Sequence, residues 1–398
     1  MRPDPGAGVI SSARMRRLLR ALAIAVLGLA GLAGLATAAI WLRYGGGGRF
    51  EDRSGEPRFE SSVLEVVADL DLPPGNIAVS PQGRVFFTFH PEASPPVQVA
   101  ELVNGAPVAF PNDDPQPDGS DPRRFQSVLS LRFDRQGRLW TLDNAHHGTG
   151  QPRLLGFDPD SREIVHEYDF PREIAPLGSH LNDFQVSPDG RRIYIADASI
   201  VAVRPALVVY DLEEQRARRL LEGHGSVAAE PFVPVVQGRE MLLFGIVAIR
   251  PGVDSIALDR NGEWLYFGAV TAQHLYRVRA RDLDDATLSA EALAARVERF
   301  AAKTMSDGIT TDNGGGIYLS DPENSAVLRL GPDASLTTLV KDPVLRWPDG
   351  FSFGPGGWLY VTCSSLHHVI ARSADHVRQH SPYQIYRFRP GFTGAAGH

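Results

Sequence analysis

Seven polar residues, Asn76, Ser127, Asn182, Asp183, Asp254, Asp307 and Asp349, stand where short apolar runs begin, each run followed by a turn glycine and a second run centred on an aromatic. Four of the seven are aspartates. Carboxylates brought together repel and raise one another's pKa values. A hard cation resolves that conflict, and calcium takes six to eight oxygen ligands from carboxylates, amide carbonyls and water. Asn182, Asp254, Asp307 and Asp349 facing one ion or one polar ligand is therefore the first chemistry this pattern suggests. Asp and Asn before a strand also cap turns through side-chain to backbone hydrogen bonds. Calcium, pure capping and a metal-free ligand site remain three readings of the same residues.

A second row of side chains follows each central aromatic: His90, Asp143, Asp197, Ala269, Asp321 and Cys363. Asp143, Asp197 and Asp321 are expected to hold backbone rather than substrate. The pairs His146-His147 and His367-His368 lie just beyond two of these runs, and His180 stands near Asn182. Neighbouring residues on a strand face opposite ways, so one member of each pair is the candidate. His146 and His367 are taken as ligand-binding residues able to act as acid or base. The chain has no Gly-x-Ser-x-Gly elbow, no phosphate-cradling glycine loop and no His-Glu-x-x-His helix, which leaves serine-hydrolase, nucleotide and zinc-protease readings without support. Cys363 is the only cysteine, so an intramolecular disulfide or a cysteine-built zinc site is ruled out. Lys303 and Lys341 are the only lysines, which makes Schiff-base candidates few.

The elements that position these residues form a repeat. Its six copies are residues 75–90 (GNIAVSPQGRVFFTFH), 127–143 (SVLSLRFDRQGRLWTLD), 182–197 (NDFQVSPDGRRIYIAD), 254–269 (DSIALDRNGEWLYFGA), 307–321 (DGITTDNGGGIYLSD) and 349–363 (DGFSFGPGGWLYVTC). The turn glycines, Gly83, Gly137, Gly190, Gly262, Gly315 and Gly357, are 54, 53, 72, 53 and 42 residues apart. One four-stranded propeller blade occupies roughly 40 to 50 residues. Six copies therefore predict an all-β, six-bladed β-propeller. A blade cannot bury both of its faces alone, and radial packing around an axis solves that problem. Residues 62–70 and 383–388 lie outside the six units and are expected to complete one blade and close the ring. The longest gap holds an elaborated connection at residues 223–249, placed either over the channel or on a side face. Residues 289–302 read as one external helix, with Ser289 as its N-cap.

Before the repeats, Arg14, Arg16, Arg17 and Arg20 precede an uncharged stretch over residues 21–42, long enough as a helix to cross a bilayer core of roughly 30 Å. The basic flank predicts an N-inside orientation, with everything after Arg43 outside the cytoplasm. This transmembrane anchor has one alternative, a signal peptide cleaved after Ala36-Thr37-Ala38. The domain map is a basic tail at 1–20, the anchor or signal helix at 21–42, a flexible linker at 43–58, the propeller at 59–390 and a disordered tail at 391–398. The formal net charge of −7 and pI near 6.0 give no electrostatic basis for nucleic-acid binding. The expected partners are a small-molecule ligand and, through the N-terminal segment, a membrane, with the chain acting as a monomer.

On segments 138–143 (RLWTLD), 194–197 (YIAD) with 207–211 (LVVYD), 252–270 and 347–369 (WPDGFSFGPGGWLYVTCSSLHHV), and the closing YQIYR, the chain resembles the yellow / major royal jelly protein family over roughly residues 60–390. It is similar at greater distance to gluconolactonase and senescence-marker propellers. The resemblance implies a six-bladed propeller with roles ranging from dopachrome conversion through amine binding to nutrient storage, and in the distant group a calcium- or zinc-dependent lactonase. It also implies a ligand set. Asp307 in Ser-Asp-Gly matches a metal-binding aspartate that also serves catalysis, Asp254 stands where the distant group carries an Asn, and Asn76 replaces a first-blade acid. That last departure weakens the case for both metal and lactonase activity.

Overall fold

All six repeat-turn glycines, Gly83, Gly137, Gly190, Gly262, Gly315 and Gly357, have φ between 72° and 88°, the left-handed region that closes a tight hairpin and that glycine enters without a steric penalty. The structure, a computed structural model, describes residues 12–114, 116, 117, 119, 121 and 123–397. Around each glycine the two flanking runs pair antiparallel, and two further strands complete a four-stranded sheet.

The first blade is Pro74–Val79, Val85–Phe89, Val99–Val103 and Ala106–Ala109. Blades two to five begin with the inner strands Val128–Phe133, Leu181–Val186, Val253–Leu258 and Ile309–Thr311. In the sixth, Pro348–Phe353, Leu359–Cys363 and Tyr383–Phe388 are joined by Glu65–Leu70 from the opposite end of the chain. Glu65 lies opposite Arg387 and Leu70 opposite Tyr383. The ring is thus closed by pairing of its two ends, and the inner strands contact one another around a central channel.

Burial follows the same radial logic. The apolar core divides into six clusters, one at each interface between neighbouring blades. Between blades one and two, Phe86 packs edge-on against Phe110 at 5.1 Å and Phe133 at 5.5 Å, all three with 1% exposure or less. Fully burying such a side chain is worth about 1.5–3 kcal/mol. That gain is available only when the next blade is present.

The chain divides into two compact units, one comprising the N-terminal segment through Gly46 with Leu242–Ala248, the other everything else. The smaller contains the helix Ser12–Tyr44, long and apolar enough to cross a membrane, and a hairpin pairing Leu242–Leu243 with Val247–Ala248. The first eleven residues of the expected basic tail lie outside the described residues.

Three expectations need correction. Residues 289–302 are not one helix: Ala290–Ala294 is helical with Ser289 as N-cap, and Glu298–Ala302 is the outer strand of blade four. The sheet's demand for a fourth strand outweighs the helical composition of that stretch. The linker is not free, since Gly48 bridges to Phe232, and Arg58 and Phe59 donate to Thr338 and Leu339 on the edge of blade five. The C-terminal tail is also ordered through Gly397. Its backbone bonds Asn313, Phe353 and Phe133 at the turn end of three blades, and His398 lies outside the described residues.

Candidate functional site

A β-bulge precedes the regular register of five inner strands, between Pro74 and Ile77, Val128 and Ser130, Leu181 and Phe184, Val253 and Ser255, and Pro348 and Phe351. The bulge re-aims a side chain that strict alternation would send into the sheet. Asn76, Asn182, Asp183, Asp254 and Asp349 all fall inside these irregular steps. The Asp-Gly pairs contribute close approach: a Cβ on Gly308 would stand 2.0 Å from the Asp349 carbonyl oxygen, and one on Gly350 would stand 2.7 Å from Asn76 Oδ1. Hydroxyls on the second strands hold the disturbed backbone. Thr88 accepts from Asn76 N and donates to Leu129 O, Thr362 accepts from Gly350 N and donates to Gly75 O, and Ser320 accepts from Asp307 N.

All seven rim residues line one cavity of about 870 Å³, counted with the solvent space at its mouth. Leu129, Ile249, Val270, Met305, Trp347 and Leu366 supply much of the remaining wall. The mixture of apolar walls with few polar groups suits a small organic ligand.

Asp183, Asp254, Asp307 and Asp349 form the acidic side. Burial pushes all four carboxyls up, and at Asp254 and Asp349 the neighbouring Asp307 and Asp183 push further. Asp307 is raised to about 6 even though Trp347 Nε1 donates to its Oδ2 at 2.6 Å. Both Asp307 and Asp349 keep part of their surface open to the cavity. Asn182 donates its amide to Asp254, and its own Oδ1 is buried without a partner. Two cations stand nearby. Arg132, 1% exposed, lies 3.6 Å from Asp183, while Lys303 donates to the carbonyls of Val270 and Thr304 and is pulled down to about 7 by burial. Four carboxyl groups thus share this wall with two cationic side chains.

The opposite side carries imidazoles. His147 and His180 pack with ring centroids 4.5 Å apart, and the Nδ1 of each is buried and unpartnered. Burial, reinforced by His147, pulls His180 down to about 3, and burial pulls His90 to about 4. His147 Nε2 stands 3.7 Å from Glu92, whose carboxyl is held below the usual range first by that imidazole. Ala145, His146 and His147 all have φ between 52° and 57°, a left-handed turn of three non-glycine residues. Such backbone is strained and persists only where its surroundings enforce it. Here Asn144 Oδ1 accepts from His147 N, and the turn places His147 in the cavity wall.

The sequence expectations divide accordingly. Asn182, Asp254, Asp307 and Asp349 are brought together at the cavity. Asn76 lines it, but its Oδ1 accepts from Arg132 at 2.6 Å and from Ile77 N at 2.8 Å, so both lone pairs are in use and it is not free to bind a metal. The left-handed turn leaves His146 exposed outside the cavity and substitutes His147. His367 is also outside it, 2% exposed and with both ring nitrogens unpartnered; its neighbour Leu366 lines the wall instead. Asp143 accepts from the backbone N–H groups of Gln126, Ser127 and Ala145, and Asp197 from those of His180 and Ser199. Arg132, Lys303, Glu92 and Trp347 were missed. Arg132 carried a signal, a cation inside an apolar inner strand; Glu92 sits in the one-turn 3-10 helix Pro91–Ala93 without one.

A family model described as major royal jelly protein matches residues 126–352, more than half of the chain. Major royal jelly protein 7 of Apis mellifera is 25% identical over 166 residues, 39% of this chain and 35% of that protein. The chain thus matches about a third of the length of that relative. Among solved structures, regucalcin of Agrobacterium tumefaciens strain C58, described as a calcium-binding protein, is 15% identical with a TM-score of 0.55, covering 86% of this chain and 98% of that one. A gluconolactonase of Xanthomonas campestris is 12% identical with a TM-score of 0.51, covering 82% and 88%. A luciferin-regenerating enzyme is 12% identical with a TM-score of 0.53, covering 84% and 98%. These identities carry the fold alone.

Proposed function

The chain belongs to the major royal jelly protein family, and from that premise we propose that its channel mouth holds a calcium-type cation and, with it, binds and hydrolyses a small lactone or ester. The observation that carries this reading is an excess of buried acceptors: four carboxylates and the unpartnered Oδ1 of Asn182 around one cavity. An all-oxygen, net-negative donor set is what a hard dication requires. Asn182, Asp254, Asp307 and Asp349 would hold the ion. Asn76 and Asp183 are engaged by Arg132 and would instead set the floor of the site.

A bound dication supplies Lewis-acid polarisation of a carbonyl. The chain's own groups do the rest. The apolar wall excludes water and seats the substrate body. Asp307, with Oδ2 fixed by Trp347, positions a water and takes its proton. His147, with its free Nδ1, is the group on the opposite wall that would give a proton to the leaving oxygen, regaining one from solvent as Asp307 releases the proton it took from water.

A second reading rests on the same imidazoles. His147 and His180 stand side by side and burial keeps His180 neutral, so a metal-independent proton shift on a small substrate, as in a tautomerase, would use them without the acidic wall. Calcium dependence separates the two. For the first reading, hydrolysis of a panel of lactones and aryl esters should be lost with chelator and in Asp307→Asn; for the second, the panel is not hydrolysed, and tautomerisation of enolisable substrates persists with chelator and in Asp307→Asn but is lost in His147→Gln. The helix Ser12–Tyr44, with its arginines at the N-terminal end, supports placement of the propeller outside the cytoplasm. A reporter fused after the last residue and active in the cytoplasm would overturn that placement.

A further inference from the structure

The connection between the last two strands contributed to blade six by the C-terminal half carries a cluster of imidazoles outside the cavity. His368 ends a short turn, Leu366–His368; His376 lies in the helix Ala374–Gln379; His380 caps it, one helical turn after His376. The rings of His368 and His380 stack at 3.9 Å, and those of His376 and His380 at 4.1 Å. One ligating atom from each of the three lies within 4.8 Å of the others. We propose that His368, His376 and His380 form a binding site for a late first-row divalent ion, zinc or its cobalt, nickel and copper counterparts, distinct from the oxygen-rich channel mouth.

Three features of the geometry support it. His368 Nδ1 and His376 Nε2 are 3.3 Å apart, and two nitrogens bound tetrahedrally at roughly 2.0–2.1 Å from one zinc are separated by about that distance. His380 Nδ1 bonds the His376 carbonyl at 2.8 Å, which fixes the tautomer and leaves Nε2 as the ligating atom. Such an outer bond to a backbone carbonyl is the usual companion of a metal-bound histidine. The connection is also held in place by arginines: Arg346 donates to His380 O at 2.9 Å, and Arg239 to His367 O and to Ile370 O. Those bonds occupy the guanidinium groups of Arg346 and Arg239; the charge of Arg372 also acts on His368 and His376.

Imidazole nitrogen selects these ions over calcium, which prefers oxygen. Three protein nitrogens leave a fourth position for water or an external ligand. Leu366 and Ile370, within the same connection, line the channel cavity. An ion tying residue 368 to residues 376 and 380 therefore also fixes that part of the cavity wall.

The test uses full-length protein in detergent, stripped with chelator and titrated with cobalt(II) while its visible absorption is followed. The expected result is one tightly bound equivalent with a tetrahedral-type spectrum, displaced by zinc and unmoved by excess calcium. Removing an outer-shell partner costs roughly 10–100-fold in affinity, so His376→Ala and His380→Gln, which remove ligands, should weaken binding at least that much. X-ray absorption of the zinc-loaded wild type needs no variant and should show three nitrogen donors at roughly 2.0–2.1 Å. Absence of the cobalt spectrum, displacement by calcium, undiminished binding in both variants, or a zinc shell dominated by carboxylate oxygen would each overturn the proposal.

Discussion

Replacing Asp307 by Asn should stabilise the calcium-free protein, although it removes a residue central to the site. In the folded chain this carboxyl keeps its proton up to about 6, against an ordinary value of 3.8. Between those values the folded state binds more protons than the unfolded state, so stability is fullest below 3.8 and is lost as pH rises through about 6. At about 1.4 kcal/mol per pH unit, the interval corresponds to roughly 3 kcal/mol above pH 7. The other raised carboxyls share that load, so the variant is expected to recover about 1–3 kcal/mol. Asn is nearly isosteric and keeps an oxygen for the Trp347 indole. The assay is urea unfolding of both proteins at pH 7.5 and pH 4 in chelator. The variant should be more stable at pH 7.5, with the difference shrinking at pH 4. Saturating calcium should reverse the order at pH 7.5, because a ligand stabilises only the protein that binds it. A variant less stable than wild type in chelator at pH 7.5 would refute the reasoning, since it would make the carboxylate a satisfied structural group.

Calcium binding itself should weaken as pH falls through about 6, where Asp307 takes up its proton; calorimetric titration at pH 5 and pH 7.5 checks this. Phe86→Ala should cost about 3–5 kcal/mol by opening a cavity between blades one and two, read as a lower urea midpoint. Deleting the residues after Pro382 removes Tyr383–Phe388 and strips Glu65–Leu70 of its strand partner in blade six. An open ring exposes strand edges, so circular dichroism should report an unfolded chain rather than a trimmed one. His147→Gln should lower turnover more than it lowers substrate affinity, which steady-state kinetics on any identified substrate would reveal.

The architecture was legible because it is local and repeated. Each turn glycine, with apolar runs on both sides, specifies a hairpin, and six copies in register specify the ring. The pairing of Glu65–Leu70 with Tyr383–Phe388 followed by elimination, as those strands had no other partner. The outer strand Glu298–Ala302 was hidden because helical composition was read without the blade's need for a fourth strand. At the site, the rim acids could be placed because one repeat position maps to one place on the axis. Asn76 could not be excluded as a ligand from sequence, since the guanidinium that occupies it comes from Arg132 in the next blade. The exchange of His147 for His146 depends on three left-handed residues, a conformation no local residue preference announces. The cluster of His368, His376 and His380 was only half visible, because its members join through the fold of a connecting segment rather than along one strand.

The central claim is tested most directly by determining the structure of the calcium-soaked protein at a resolution that resolves coordination. The account predicts one ion at the channel mouth, roughly 2.3–2.6 Å from Asn182 Oδ1 and from carboxylate oxygens of Asp254 and Asp307. A channel mouth without calcium at saturating concentration, with Asn182 Oδ1 bonded to water alone, would contradict it.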